Sequence, residues 1–180
     1  MKNNLSLQKE LNLVKKLIKN EIIEEKTISD LYKYIFKSDG KRLRAKLCLI
    51  TSSLNKKKNK KRLKLAATIE LLHTATLVHD DVVDESQTRR GVKSINNLWS
   101  NAHGVLIGDY IYSKAFILMV EIGESKILRE LANATNDISK GELIQLDALQ
   151  NVSIDLEKLE AISYLKQAGF LRLLQEQEQY

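Results

Sequence analysis

The chain has 180 residues, of which 43% are apolar, so it is long and apolar enough to fold as one domain rather than remain disordered. It contains no proline and only seven glycines, which favours an all-α chain because nothing forces a helix to break. The net charge is +6, but the basic run at 56–62 has no aromatic side chains for base stacking, so we expect a solvated loop there and no nucleic-acid partner.

Apolar side chains recur at spacings of three and four along most of the chain, which indicates amphipathic helices. The expected helices cover, in chain order, about residues 5–25, 31–38, 41–54, 62–84, 104–122 and 124–147, with two helices in the last range, and a final helix capped by Asp155. Strand-like alternation is absent, so we expect a single helical domain over residues 1–180, built as a bundle.

Polar residues mark several of these boundaries. Ser29 or Asp30 is expected to cap the second helix, and Ser94 a short helix that holds Trp99. Residues 85–94 are expected to form a loop.

The longest apolar segment, residues 104–122, is interrupted by Asp109 and Lys114, so we expect a buried helix and no integral membrane segment. Cys48, the single cysteine, is predicted to be a small core residue. The first residues contain no continuous apolar run typical of a signal peptide, so the expected location is cytoplasmic.

Residues 79–85, HDDVVDE, place four carboxylates at the end of an apolar helix. Asp80 and Asp84 lie one turn apart on the face that also carries His73, whereas Asp81 is turned about 100° away. Like charges at this spacing, at the helix end that disfavours acids, indicate a bound cation. Oxygen donors without cysteine favour Mg²⁺, which binds carboxylates together with substrate phosphates. The alternative is a helix end decorated with solvated acids.

Two basic pairs accompany these acids. Lys41 and Arg44 are expected on one face of the third helix, and Arg89 and Arg90 follow the acids in the loop. Arginine offers a planar fork that matches phosphate oxygens. Together with the acids and His73, the two pairs indicate that two anionic groups bind side by side.

The segments GKRLRA, ELLHTATLVHDDVVDESQTRRG and GDYIYSKAF resemble the trans-prenyl diphosphate synthases, and among these the long-chain polyprenyl type such as octaprenyl diphosphate synthase. The resemblance extends from about residue 35 to about residue 168. It implies an antiparallel helical bundle of the isoprenoid synthase type. It also implies an Mg²⁺-dependent enzyme that condenses isopentenyl diphosphate with an allylic diphosphate to make a long-chain polyprenyl diphosphate.

The resemblance also implies roles for individual residues. Asp80 and Asp84 correspond to Mg²⁺ ligands of the first aspartate-rich motif, and Arg89 to a catalytic contact with the allylic diphosphate. The pocket for isopentenyl diphosphate corresponds to four residues, namely Lys41, Arg44, His73 and Arg90. Lys166 corresponds to a family lysine, but Gln167 replaces the threonine that follows it there.

Product length is expected to depend on Ala75 and Leu72, which precede the acids on the same helix. In the family, an aromatic residue at the position of Ala75 resembles a floor that stops elongation early. Alanine leaves this floor open, which favours a long product, and Ala75→Phe is expected to shorten it.

The sequence departs from the family in length. Family members are about twice as long, and their second aspartate-rich motif has no counterpart here. We therefore expect a truncated bundle: a truncated gene product, one half of a complex with a partner subunit, or a fragment of a longer enzyme. Because the apolar helix over 104–122 would then be partly uncovered, a homo-oligomer or a complex with a partner subunit is expected.

Two alternatives stay open. The chain could be a non-catalytic subunit or truncated relic that binds diphosphates without turnover. A metal phosphohydrolase with a His-Asp pair is the other, because His79 and Asp80 are adjacent and His73 lies upstream. That class needs a further ligand histidine, for which only His103 is available.

Overall fold

The computed structural model describes residues 2–19, 23–37, 40–54, 60–150 and 155–176. Within these ranges the chain is almost entirely helical. The helices are α1 (Lys2–Lys19), α2 (Lys26–Lys37), α3 (Leu43–Leu54), α4 (Lys61–Val83), α5 (Ile95–Leu98), α6 (Asn101–Ile122), α7 (Ser125–Gln150) and α8 (Leu156–Glu176). A short hairpin of β1 (Thr88–Arg89) and β2 (Val92–Lys93) lies between α4 and α5. No described helix combines the length and the apolar character needed to cross a membrane.

The apolar side chains of the first helix lie on its buried side. Leu11, Val14 and Ile18 are at most 6% exposed, and their spacings of three and four place them on one side of α1. Glu10 of the same helix forms an ion pair with Arg62 near the start of α4. The predicted extension of this helix to residue 25 is wrong, because the chain from residue 23 to Glu25 is not helical.

The second helix begins earlier than its sequence pattern indicated. Its start at Lys26 places Ser29 and Asp30 inside α2, so neither residue caps it. The carboxylate of Glu25 accepts a hydrogen bond from the backbone N–H of Thr27 at 3.3 Å and satisfies an N–H group at the helix start. The prediction failed because a glutamate one residue before the helix supplied the acceptor.

The third helix begins later than predicted, at Leu43. Arg42 has a φ of 47°, in the left-handed region, and this conformation interrupts any helix between Gly40 and Leu43. Lys41 therefore lies in the preceding loop, and the prediction that it shares a helical face with Arg44 is wrong. Cys48 is fully buried in α3, as predicted.

The loop expected at 85–94 contains the β1–β2 hairpin. Arg89 pairs with Val92, so Arg90 and Gly91 form a two-residue turn, and their φ values are 53° and 80°. Positive φ at both positions is typical of a type I′ turn, which matches the twist of a hairpin. Glycine suits the second position of this turn, but arginine is uncommon at the first, so the sequence signal for the hairpin is weak.

Helix α6 packs closely against α4 through glycines. A Cβ at Gly104 would lie 2.5 Å from a methyl of Val82, and one at Gly108 would lie 2.2 Å from Nε2 of His79. These contacts let the two helices approach more closely than side chains would allow.

The expected burial of α6 holds for one of its faces, and the apolar surface that was expected to be uncovered lies on the other. Apolar residues on its outer face are between 42% and 71% exposed, namely Val105, Leu106, Phe116, Ile117 and Val120. The physical reason is that burial follows the face with small residues, which includes Gly104, Gly108 and Ala115, and not the mean apolar content.

The chain divides into two compact units. The first comprises residues 1–50 and 59–122, and the second 51–58 and 123–180. The second unit contains one continuous helix, α7, where two were expected, followed by α8. Asp155 caps α8 as predicted, because its carboxylate accepts the backbone N–H of Lys158 at 2.7 Å. Whether the units form the expected single domain stays a prediction, and most of the basic run at 56–62 lies outside the described residues.

Candidate functional site

The first unit contains a cleft of about 870 Å³ between α2, the loop before α3, helix α4 and the hairpin. Among the described residues, seven cationic ones line it: Lys37, Lys41, Arg42, Arg44, Arg89, Arg90 and Lys93. The acids that the described part of the chain adds to the lining are Glu70 and Asp81. This excess of positive charge favours an anionic ligand. The remaining lining includes apolar side chains such as Phe36, Leu77 and Ile95, so the anion can carry a small apolar group.

Arg44 and His73 meet at the centre of the predicted basic site. An N–H of the Arg44 guanidinium lies 3.0 Å from Nε2 of His73. Because arginine can only donate, Nε2 is the acceptor and the proton of the neutral ring resides on Nδ1. Burial, followed by the positive charges of Arg44, Arg90 and Arg89, lowers the pKa of His73 to about 4. His73 is therefore neutral at neutral pH.

Glu70 holds the start of α3 against α4. Its carboxylate accepts the backbone N–H of Ala45 at 3.0 Å, so a side chain of one helix caps another. Burial lowers the pKa of Arg44, and the negative charge of Glu70 opposes this change. Glu70 was not among the predicted site residues, although it lies three residues before His73 and so on a neighbouring part of the same helix face.

Asp81 and Arg89 form a buried, forked ion pair. Nε of Arg89 lies 2.8 Å from both carboxylate oxygens, and an Nη nitrogen lies 2.8 Å from Oδ1. Hydrogen bonding to Asp81 raises the pKa of Arg89, burial opposes this, and the charges of Asp80 and Asp84 add to it. Asp81, which the spacing turned away from the predicted site, thus lies in the cleft.

The hairpin is fixed to the helices around it. The Asn96 amide donates to the carbonyls of Asp81 and Ser86 at 3.0 and 3.1 Å. The hydroxyl of Ser94 donates to Ser86 at 2.5 Å and does not cap α5, which ends at Leu98, one residue before Trp99. The Tyr34 hydroxyl of α2 donates to the carbonyl of Lys93 at 2.8 Å.

Gly40 leaves space for the second arginine of the hairpin. A Cβ at Gly40 would lie 2.4 Å from an Nη nitrogen of Arg90. The guanidinium of Arg90 therefore packs directly on the backbone of the loop that carries Lys41. The structure thus brings five predicted residues into one cleft: Lys41, Arg44, His73, Arg89 and Arg90.

Asp80 and Asp84 lie at the end of α4, outside the lining of the cleft. Asp80 is half-buried and Asp84 is exposed, and the N–H of Asp84 donates to the carbonyl of Asp80 at 2.8 Å. Burial, with the charge of Asp80, raises the pKa of Tyr112. The face of α4 that lines the cleft, around Leu77 and Asp81, is rotated about 70° from the face on which Asp80 and Asp84 were predicted to lie.

Asp80 and Asp84 offer carboxylate oxygens, which are donors suited to a divalent cation. Among the described residues no group of three or more His, Cys, Asp or Glu side chains is arranged to hold a metal ion. Two carboxylates one turn apart do fit a hard cation whose remaining ligands are water and phosphate, which is the usual arrangement for Mg²⁺. They do not fit a metal enclosed by protein side chains alone.

The other predicted positions on α4 are buried outside the cleft. Ala75 and Leu72 are 0% and 2% exposed. His79 faces α6, where Nε2 lies 3.1 Å from the carbonyl of Val105 and the ring stacks on Tyr112 with centroids 5.9 Å apart.

His103 and His79 contact different residues. Nδ1 of His103 lies 2.8 Å from the hydroxyl of Ser100 at the start of α6. A phosphohydrolase site would need these histidines as metal ligands, but each of them contacts neighbouring residues of the chain.

The sequence is similar to a known protein family and to several of its members. The sequence profile of the polyprenyl synthetase family matches residues 25–177. The all-trans-nonaprenyl-diphosphate synthase (geranyl-diphosphate specific) of Rhodobacter capsulatus is 42% identical over 132 residues, covering 72% of this chain and 41% of that protein. The octaprenyl diphosphate synthase of Escherichia coli is 39% identical over 141 residues, covering 78% and 44%. The chain therefore spans less than half the length of these relatives.

Solved structures share the fold. A decaprenyl diphosphate synthase from Rhodobacter capsulatus superimposes with a TM-score of 0.88 at 36% identity, covering 96% of this chain and 54% of that chain. A polyprenyl synthase from Caulobacter crescentus, complexed with calcium and isoprenyl diphosphate, gives a TM-score of 0.89 at 34% identity and covers 95% and 52%. The predicted all-α fold of the isoprenoid synthase type is confirmed, and so is the resemblance to long-chain polyprenyl diphosphate synthases.

Proposed function

Because the chain belongs to the polyprenyl synthetase family, we propose that it acts in prenyl transfer, condensing isopentenyl diphosphate with an allylic diphosphate to form a long-chain polyprenyl diphosphate. The observation that carries this proposal is the cleft, in which two arginines are held in fixed orientations by His73 and Asp81 beside an apolar wall. Oriented cations next to apolar side chains suit a diphosphate that carries a short hydrocarbon.

Four residues are proposed to bind isopentenyl diphosphate: Lys41, Arg44, His73 and Arg90. Arg44 and Arg90 offer planar N–H forks for phosphate oxygens, and Lys41 adds a compact charge. Neutral His73 contributes to this pocket by accepting a hydrogen bond from Arg44, which orients the guanidinium. Because the ring carries no negative charge, it does not neutralise the arginine.

Arg89 is proposed to contact the diphosphate of the allylic substrate. When the C–O bond of that substrate breaks, negative charge grows on the leaving diphosphate and a delocalised cation remains on the hydrocarbon. Arg89 stabilises the diphosphate charge, since it is already desolvated on one side and oriented by Asp81. The double bond of isopentenyl diphosphate then attacks the cation, and a proton leaves the product, with the released diphosphate as the acceptor.

Asp80 and Asp84 are proposed to hold Mg²⁺ as its catalytic ligands. Mg²⁺ would supply positive charge to the leaving diphosphate. The end of α4 carries these two acids next to Asp81, so the acids and Arg89 lie at neighbouring positions. The Caulobacter crescentus relative is complexed with calcium and isoprenyl diphosphate, which supports a divalent cation in this role.

Product length is proposed to depend on Ala75 and Leu72. Both are buried in α4, and Ala75 is the smaller of the two side chains, so a larger residue at its position would change the space available beside the helix. Ala75→Phe should shorten the products seen by chromatography. Because Ala75 has no exposed surface, thermal unfolding of this variant is measured in parallel to separate a shorter product from a misfolded chain.

A partner is also proposed. The apolar side chains exposed on α6 favour a homo-oligomer or a complex with a second subunit, because a patch of this kind is rarely left in water. The expected cytoplasmic location stays a prediction.

The test is incubation of the purified chain with farnesyl diphosphate, labelled isopentenyl diphosphate and Mg²⁺. We expect a labelled polyprenyl product that disappears in Asp80→Ala and persists in Glu85→Ala, a control that removes an exposed acid from the same segment. Absence of product from the unmodified chain would contradict catalysis by this chain alone. Pyrophosphate binding without product would favour the alternative of a non-catalytic binding subunit.

A further inference from the structure

The carboxylate of Asp81 is committed to Arg89. Both of its oxygens lie 2.8 Å from Nε of Arg89, and Oδ1 also lies 2.8 Å from an Nη nitrogen. Charge-assisted, forked contacts of this length are among the strongest hydrogen bonds in proteins. Both oxygens of Asp81 therefore already have a cationic partner in the folded chain.

The two members of the pair differ in exposure. The side chain of Asp81 is 6% exposed, whereas that of Arg89 is 34% exposed and lines the cleft. Both residues line the cleft, but the acid is almost entirely covered, whereas part of the guanidinium remains open to a ligand. This order, acid inside and arginine outside, distinguishes Asp81 from its neighbours Asp80 and Asp84.

The backbone of Asp81 holds the same segment. Its carbonyl accepts hydrogen bonds from the N–H of Ser86 at 2.9 Å and from the Asn96 amide at 3.0 Å. Both ends of the segment that carries Arg89 are thus tied to one residue of α4. The ion pair with Asp81 then restricts the side-chain conformation of Arg89.

We propose that Asp81 is a positioning residue that orients Arg89 toward an anion in the cleft and takes no part in cation binding. The inference rests on the proposed function for the identity of the anion, a diphosphate. Its benefit is preorganisation: the conformational entropy of the arginine is lost during folding and not on binding.

The pair itself is tested by NMR on the full chain. The Nε–H resonance of Arg89, identified by its absence in Arg89→Lys, should be protected from exchange with water in the unmodified chain. Asp81→Asn should abolish this protection, because an amide offers one acceptor where the carboxylate offers two. Asp80→Asn, which removes a charge one residue away, should leave the protection in place. Equal loss of protection in the two variants would overturn the proposal.

The role in binding is tested by calorimetry with inorganic pyrophosphate, without metal. Asp81→Asn should weaken binding by roughly 3- to 10-fold, the cost of ordering one long side chain. This is the opposite of the simple electrostatic effect, since removal of a negative charge beside an anion should strengthen binding. Glu85→Gln is the matched control, because it removes an exposed acid of the same segment without contact to Arg89.

The decisive measurement repeats Asp81→Asn in an Arg89→Ala background. If Asp81 acts through Arg89, the substitution should no longer weaken binding there, because it now removes only an unpaired acid. Weakening of the same size in both backgrounds would assign Asp81 a merely structural role and overturn the proposal. So would an Arg89→Ala chain that binds pyrophosphate as tightly as the unmodified one. None of these measurements requires turnover, so a failure of the proposed prenyl transfer would be seen separately.

Discussion

Helix α4 carries two histidines six residues apart that lie in opposite environments. His73 faces the cleft and accepts a hydrogen bond from Arg44, and the charges around it are positive. His79 faces α6, stacks on Tyr112 and contacts the backbone of Val105. One face of the helix is built from charged pairs around a space, and the other from close packing against glycines.

This difference shows how one helix can separate recognition from stability. On the cleft face, buried polar atoms are satisfied by partners from other elements, and the cations remain turned toward the space between them. On the α6 face, Gly104 and Gly108 let side chains of α4 fill the gap between the helices. Substitutions on the two faces should therefore affect different measurements, namely anion affinity on one face and stability on the other.

The largest effect is expected from Arg44→Ala. Hydrogen bonds to charged groups contribute about 1.5–3 kcal/mol, so pyrophosphate affinity measured by calorimetry should fall by roughly 10- to 100-fold. Arg129→Ala, which removes an exposed arginine of α7, is the charge-matched control and should change affinity only slightly. Equal losses in the two variants would mean that net charge, and not the cleft, determines binding.

The second-largest effect is expected on the free energy of unfolding at acidic pH. The pKa of His73 is about 4 in the folded chain, below its ordinary value, so the unfolded state binds more protons between pH 6.5 and 4. Stability should therefore fall as the pH decreases through this window, by at most about 2 kcal/mol between pH 7 and pH 5. His73→Gln removes the titrating group and should lose less stability over the same range in urea unfolding. Parallel curves for the two chains would contradict the lowered pKa.

On the packing face, Gly108→Ala should destabilise the chain more than Gly104→Ala. The new methyl at 108 meets the His79 ring, which is held by its stack, whereas the methyl at 104 meets a single methyl of Val82. Overpacking costs about 1–3 kcal/mol, of which up to about 1 kcal/mol is offset by the higher helix propensity of alanine. Thermal unfolding measures the difference, and adding His79→Ala to Gly108→Ala should recover part of the loss. If Gly108→Ala leaves pyrophosphate affinity unchanged, the α6 face of α4 affects stability without affecting anion binding.

The smallest effect is expected at Gly40. A methyl there would displace the guanidinium of Arg90, which can move because it is the end of a long side chain. Gly40→Ala should therefore weaken pyrophosphate binding only about two- to threefold, with little change in unfolding temperature. An affinity equal to that of the unmodified chain would show that the position of Arg90 does not matter for the anion.

Several features of the site could be read from the sequence because they repeat at helical spacing. The bounds of α4 agree with the predicted 62–84 to within one residue, and Lys41, Arg44, Arg89 and Arg90 line the same cleft as His73. The helix over 104–122 and its partly uncovered apolar surface were also predicted, although which of its residues would be exposed was not.

Local backbone conformation limited the prediction elsewhere. The left-handed Arg42 moved Lys41 off α3, and the turn at Arg90-Gly91 made a hairpin of an expected loop. Each depends on one or two φ angles, which periodicity does not report.

By itself, the sequence determined which residues are helical and which types of group the site contains, because helix period and side-chain chemistry are local properties. Only the tertiary structure decided the pairing: Glu70 with the start of α3, His73 with Arg44, and Asp81 with Arg89. These partners lie between eight and 29 residues apart, and their distance depends on how the helices and the hairpin pack. The spacing of Asp80 and Asp84 indicated the acidic end of α4, but packing assigned the acid between them to the basic cleft.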